Sequence, residues 1–183
     1  MCFSAPASFI AGTALFAIGY AALRNARKRT EVPFAMIPLL FGIQQLIEGV
    51  IWLTFGYDAP ILKETMTYVY SVFSHVLWPI YVPLAVGIME AVLWRKKAIF
   101  AFGAAGLAVG LYLLYYIVAT PMVAEIVGRH IVYDSPHFYL IPVMIVYLAA
   151  TCVSCVFSSH GFVKLYAATK DKNIKAPNSF TNP

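Results

Sequence analysis

Charge is what this chain has least of. Eight acidic and thirteen basic residues among 183 leave it 11% charged and 61% hydrophobic, against about 25% charged in a soluble domain. A water-soluble fold of this length has too little interior to hide so much apolar surface, which excludes an ordinary soluble enzyme. Cysteine is scarce too, with only Cys2, Cys152 and Cys155. No positive residue precedes the first apolar run, whereas Arg24, Arg27, Lys28 and Arg29 follow it. That is the reverse of a secretory signal's polarity, so the first helix is expected to stay as an anchor, and Cys2 has no apolar leader of the lipoprotein kind. No internal repeat is visible in the sequence.

Long apolar runs are what the chain does have. Five of them, about 6–24, 33–55, 66–94, 98–119 and 139–166, approach or exceed the roughly 20 residues that cross a bilayer core as helix. The spacing predicts an all-α integral membrane helical bundle of about five transmembrane helices over 1–168, with a polar tail, 169–183, expected to be disordered. Met122 to Tyr133 is semi-apolar and is expected on the membrane surface or re-entering it.

The net charge of +5 would suit nucleic acid, but its placement argues for topology. Arg24, Arg27, Lys28, Arg29, Arg95, Lys96, Lys97, Lys164, Lys170, Lys172 and Lys175 follow odd-numbered spans, and only Lys63 and Arg129 fall on the other side. The positive-inside rule then places the amino terminus outside and the carboxyl terminus in the cytoplasm. The basic clusters are expected to meet anionic lipid heads and no nucleic acid.

Punctuation supports these boundaries. Pro33 suits the first turn of the second helix and Pro121 ends the fourth. Pro38, Pro79, Pro83 and Pro142 lie within spans, where each releases a carbonyl that a neighbour or water must satisfy, with the strongest bend expected in the third helix. Gly103, Gly106 and Gly110 line one face of the fourth helix and are expected to admit a close neighbour.

Two ionisable residues lie inside spans. Glu48 and His75 would each cost roughly 2.5 to 3.5 kcal/mol in hydrocarbon unless partnered. Running outward and inward on consecutive helices, they fall at matching depth, ~10 and ~14 Å below the outer surface. Gln44, Glu48 and Trp52 recur at helical spacing with Gln45 one step around, and Tyr68, Ser71, His75 and Trp78 make the facing stripe. The expected result is a polar pocket of Gln44, Gln45, Glu48, Trp52, Ser71, His75 and Trp78. It would share a proton, hold His75 cationic or bind a metal. Cys2 starts near the same end, and Cys2, Glu48 and His75 form a legitimate ligand set for a transition metal such as zinc. His130, Asp134 and His137 are spare ligands.

Other polar residues read as structural. Cys152 and Cys155 form a C-x-x-C without the helix amino terminus or cation that lowers a thiol pKa, so they are expected to be small buried residues at a helix contact. Glu90 is expected to snorkel or pair with a basic residue near Arg95, and His160 to be a surface histidine.

Met1-Cys2-Phe3-Ser4, FGIQQLIEGVIW at Phe41 to Trp52 and FSHVLWPIYVP at Phe73 to Pro83 together resemble an uncharacterised family of bacterial multi-pass membrane proteins beginning MCFS. The similarity covers about residues 1–165. It implies that Cys2, Gln44, Gln45, Glu48, Trp52, His75, Trp78 and Pro79 belong to the family pattern, and it implies no activity. It also implies further apolar helices beyond Ser159, where this chain turns polar instead. Separately, Ser71-x-x-x-His75 is similar to a motif of the membrane zinc hydrolases that include alkaline ceramidases. That likeness implies lipid amide hydrolysis by zinc-activated water, but their Asp on the next helix and late His-x-x-x-His have no counterpart here.

The leading expectation is a metal- or small-cofactor-binding protein of the bacterial cytoplasmic membrane. Its expected partners are membrane lipids, a small ligand or metal, and a second copy of itself. The alternatives are a zinc-dependent lipid hydrolase, a small proton-linked transporter and a purely structural polar cluster. One acid and one histidine at one depth make no path across a membrane, which weighs against transport.

Overall fold

The computed structural model describes residues 4–128, 130–134 and 140–158. Helix α1, Ala5–Asn25, starts at Ser4, whose Oγ accepts from the Ala7 N–H at 3.4 Å, with a proline in the first turn. A 3-10 turn at Arg29–Glu31 and a short helix at Val32–Ala35 lead into α2, Ile37–Thr54. Helix α3 runs continuously over Pro60–Met89, built from Pro60–Ser71, a π-helical turn at Val72–Leu77 and Trp78–Met89. Helix α4 spans Leu93–Ala119. Helix α5 comprises Leu140–Leu148, a second π-helical turn at Ala149–Val153 and Ser154–Phe157.

Four helical stretches, Ala5–Asn25, Arg29–Thr54, Pro60–Met89 and Leu93–Ala119, are long and apolar enough to cross a membrane; among the described residues α5 contributes a shorter apolar helix, Ile141–Val156. The fold is all-α and the chain is an integral membrane protein by these four helices. Two boundaries differ from the hydropathy reading. Helix α3 begins at Pro60 rather than near 66, and α4 begins at Leu93, taking Trp94 to Lys97 into its first turns.

Helices α1 and α2 pack backbone to backbone. A Cβ on Gly12 would lie 3.2 Å from the Gly42 carbonyl oxygen, and one on Gly42 would lie 3.0 Å from that of Gly12, so only glycine lets these surfaces meet this closely. At the opposite edge Tyr81 Oη donates to the Pro33 carbonyl at 2.8 Å, tying α3 to the segment that enters α2.

Met122 to Tyr133 is where the fold departs most from expectation. It forms an antiparallel hairpin, β1 Val123–Val127 and β2 His130–Asp134, with Ala124 opposite Tyr133 and Ile126 opposite Ile131. Gly128, at φ +67°, opens the two-residue connection between Val127 and His130, a conformation that glycine adopts without the usual penalty. Ala124 and Ile131 are buried against Ile51 of α2 and Tyr70 of α3. The hairpin therefore caps the end of the bundle that carries the α2–α3 loop. A second apolar cluster, Trp78, Val82, Val86 and Ile99, fills the bundle farther along.

The opposite end carries the basic clusters and two carboxylates held by local backbone. Glu31 Oε2 accepts from the Arg27 and Lys28 N–H groups at 2.9 and 3.4 Å. Glu90, 2% exposed, accepts the Val92 N–H at 2.9 Å, where a carboxylate favours the start of α4. Glu90 thus does not snorkel.

Candidate functional site

Three pairings are seen among the residues of the expected polar pocket. Trp78 Nε1 donates to Gln44 Oε1 at 2.8 Å across α2 and α3, and the Trp78 ring stacks on Phe41 with centroids 3.9 Å apart. Gln45 Nε2 donates to Glu48 Oε2 at 3.2 Å on the same helix, with Glu48 fully buried. His75 Nδ1 lies 3.0 Å from the Ser71 carbonyl and 2.7 Å from Ser74 Oγ. A carbonyl can only accept, so the first contact assigns the proton to Nδ1; Ser74 Oγ then accepts from it and donates to the Ser71 carbonyl at 3.3 Å. Trp52 is half-buried, packing on the hairpin-end cluster beside Phe55.

A π turn carries His75. Pro79 has no N–H, so a carbonyl of the preceding turn loses its helical donor. The chain accommodates this with wider winding over Val72–Leu77, and Tyr147 Oη of α5 donates to the Ser74 carbonyl at 2.7 Å. Relative to a regular helix the wider turn swings His75 away from Trp78. Trp78 stays on the Gln44 side, whereas His75 lines a different cavity. Helix α4 closes against this turn because Gly106 has no side chain: a Cβ there would collide with the Pro79 carbonyl oxygen.

The cavity beside His75 has a volume of about 520 Å³ and lies beneath the hairpin. Its polar lining is Tyr70, Ser74, His75, His130, Tyr133 and Tyr147, and its apolar lining comes from Leu113, Ile131, Val132, Val143 and Met144. Tyr70 and Tyr133 stack with centroids 4.4 Å apart. Burial pushes the Tyr133 phenol pKa up, and the charges of Tyr70 and of Glu48 push it the same way. The Tyr133 hydroxyl is buried without a hydrogen-bond partner among the described residues, as is Ser71 Oγ.

Of the expected site residues, His75 lines this cavity, Ser71 braces it from behind, and Gln44 and Trp78 line a separate groove with Phe41, Ser74, Val82, Tyr147 and Thr151. His130, a spare candidate, joins the cavity wall. Tyr70, Ser74, Tyr133 and Tyr147 were not among the expected residues. Cys2, His137, His160, the Asp134 side chain and the tail lie outside the described residues. Among the described residues no three His, Cys, Asp or Glu side chains gather as a metal site. Cys152 and Cys155 are exposed, not buried at a helix contact; their helix turns them outward, where Cys155 Sγ donates to the Thr151 carbonyl at 3.4 Å.

A family model matches residues 1–172. The chain belongs to DUF6629, a family of unknown function. No curated protein and no solved structure matches it. For this DUF6629 member the geometry of its own cavity is what bears on function.

Proposed function

We propose that this protein binds a small, predominantly apolar molecule or cofactor in the hairpin-capped cavity, which the molecule enters with a hydrogen-bond acceptor foremost. The observation that carries this is the cavity itself, about 520 Å³ beneath the hairpin, where Ser74, His75, His130 and three tyrosines stand among apolar residues. An unsatisfied buried hydroxyl costs about 1–3 kcal/mol. The Tyr133 hydroxyl, behind the cavity surface, is such a group among the described residues, and burial, which raises its pKa, keeps it protonated. His75, Ser74 and His130 add polar contacts, and the remaining wall is apolar and aromatic, as small-molecule sites commonly are.

Native mass spectrometry of protein purified in mild detergent is expected to show one bound small molecule per chain. Val143→Trp, which fills the cavity, should release it. Bare protein carrying only bulk phospholipid would sink the reading.

A metal is a second reading, favoured by one feature: His75 Nδ1 donates to a backbone carbonyl, the arrangement that orients metal-binding histidines. Glu48 and Cys2 remain the proposed further ligands. Metal analysis of the same preparation separates the two readings, since only the metal reading predicts a bound transition ion that His75→Ala removes.

The basic loops are proposed to face the cytoplasm and the hairpin the outside. In a cysteine-free background, Tyr57→Cys, on the exposed α2–α3 loop, should then react with an impermeant thiol reagent added outside. Reaction only after the membrane is opened would reverse the orientation.

A further inference from the structure

The hairpin-capped cavity and the shallower groove of about 340 Å³ share two residues, Ser74 and Tyr147. Tyr147 Oη donates to the Ser74 carbonyl, so this hydrogen bond joins the two residues common to both linings. Their chemistry differs. In the groove the Trp78 indole N–H is already given to Gln44 Oε1, and Thr151 Oγ1 is given to the Tyr147 carbonyl at 3.0 Å. What remains is ring and hydrocarbon surface from Phe41, Trp78 and Val82. These residues sit on apolar helices, and Phe41 is exposed on the bundle surface, so the groove opens where lipid chains surround the protein. The cavity, by contrast, has Ser74, His75 and His130 in its wall.

A cavity with several polar side chains and a groove that is nearly all hydrocarbon, adjoining at Ser74 and Tyr147, fit an amphiphile. Resting on the small-molecule reading above, we infer that the site takes a single-chain amphiphile. Its compact head carries a hydrogen-bond acceptor beneath the hairpin, and its alkyl or isoprenoid chain passes Tyr147 into the groove and out toward the bilayer. The Tyr147–Ser74 contact is then a latch. Ser74 lies within the π turn of α3, and Tyr147 lies just before the π turn of α5. Such turns interrupt the regular helical ladder and are often found at functional sites, and these two place the latch where the helices depart from regular winding.

Two photoreactive dodecanols test this on the full chain in phosphatidylcholine nanodiscs, one with a diazirine beside the hydroxyl and one with it at the far end of the chain. The head-labelled probe is expected to mark Ile131, Val143 or Met144, and the tail-labelled probe Phe41, Trp78 or Val82. Tyr147→Phe, which keeps the ring and removes the latch donor, should raise tail labelling of the groove roughly fivefold, the ratio set by releasing one ordinary hydrogen bond. Unlabelled dodecanol and unlabelled farnesol compete in parallel. Stronger competition by the first assigns a straight chain and by the second an isoprenoid one, and competition by neither overturns the inference. Head labelling of the cavity with tail labelling scattered over lipid-facing positions such as Ile10, Ile18 and Leu111 would overturn the amphiphile while leaving small-molecule binding intact. Failure of both probes to mark the cavity would bring down both.

Discussion

Gly106→Ala tests whether the close approach of α4 to the π turn is real. In an isolated helix the change would stabilise by about 1 kcal/mol. Here the new Cβ falls on the Pro79 carbonyl oxygen and within 3.0 Å of the Ala150 Cβ. Overpacking costs typically about 1–3 kcal/mol, and the obstacle is backbone fixed by the following helix rather than a side chain that can rotate. The cost therefore lies at or above the upper end of that range, for a net destabilisation of about 2 kcal/mol. At roughly 2–4 °C per kcal/mol for a chain of this size, the melting point should fall by about 4–8 °C. Gly103→Ala is the internal control, since its Cβ would meet only the Pro83 Cβ at 3.3 Å; it should leave the protein as stable or slightly more so. The assay is melting in detergent followed by fluorescence-detected size-exclusion chromatography. If Gly106→Ala melts as high as Gly103→Ala, the packing argument is refuted, and with it the account of how α4 walls the His75 cavity.

Three further substitutions probe the same assembly. Trp78→Phe keeps a ring against Phe41 but leaves Gln44 Oε1 buried without its donor, a loss of about 1–3 kcal/mol; Trp78→Phe with Gln44→Leu should recover part of it in the same melting assay, and no recovery would argue against the pairing. Tyr133 has its phenol pKa raised by burial first, above the ordinary value of about 10. The folded state thus holds a proton that the unfolded state gives up, and its stability, intact below about pH 10, declines as pH rises beyond it. Tyr133→Phe should flatten that decline in melting curves between about pH 9 and 11, and an unchanged slope would contradict the assignment. Cys152→Ala with Cys155→Ala should shift stability by no more than about 0.5 kcal/mol, because both side chains are exposed; a larger loss, or a disulfide seen by non-reducing mass spectrometry, would give the pair a role.

The helices were legible because hydropathy over twenty residues is a strong signal, and the Glu48, His75 and Trp78 positions drew notice because polar groups in apolar runs need partners. The shape of the site was not legible, for two physical reasons. Placing His75 and Trp78 on one face assumed regular winding throughout α3, and the turn at Val72–Leu77 breaks that assumption. Pro79 was the available clue, since a missing N–H must be absorbed somewhere upstream. The second reason is the hairpin. Val123 to Asp134 is rich in β-branched residues on both sides of Gly128, which is a hairpin signal; hydropathy alone gives only a semi-apolar segment on the membrane surface or re-entering it. Missing it hid Tyr133 and the cavity's roof, while Tyr70 and Tyr147 passed as ordinary membrane aromatics. Cys152 and Cys155 were misplaced because composition does not reveal which side of α5 meets the bundle.

The hairpin also sets an order of assembly. Ala124 and Ile131 dock on Ile51 and Tyr70, which leave the ribosome well before them, so the hairpin has a floor to settle on only once α2 and α3 stand side by side. Helix α5, which supplies Val143, Met144 and Tyr147 to the cavity, is synthesised later still. During biogenesis the pocket thus exists first as an open bowl, then gains a roof, and receives its last wall when α5 arrives. A resident molecule could be loaded while that wall is missing, and afterwards it would be retained by the time needed to part α5 from its neighbours rather than by equilibrium affinity alone.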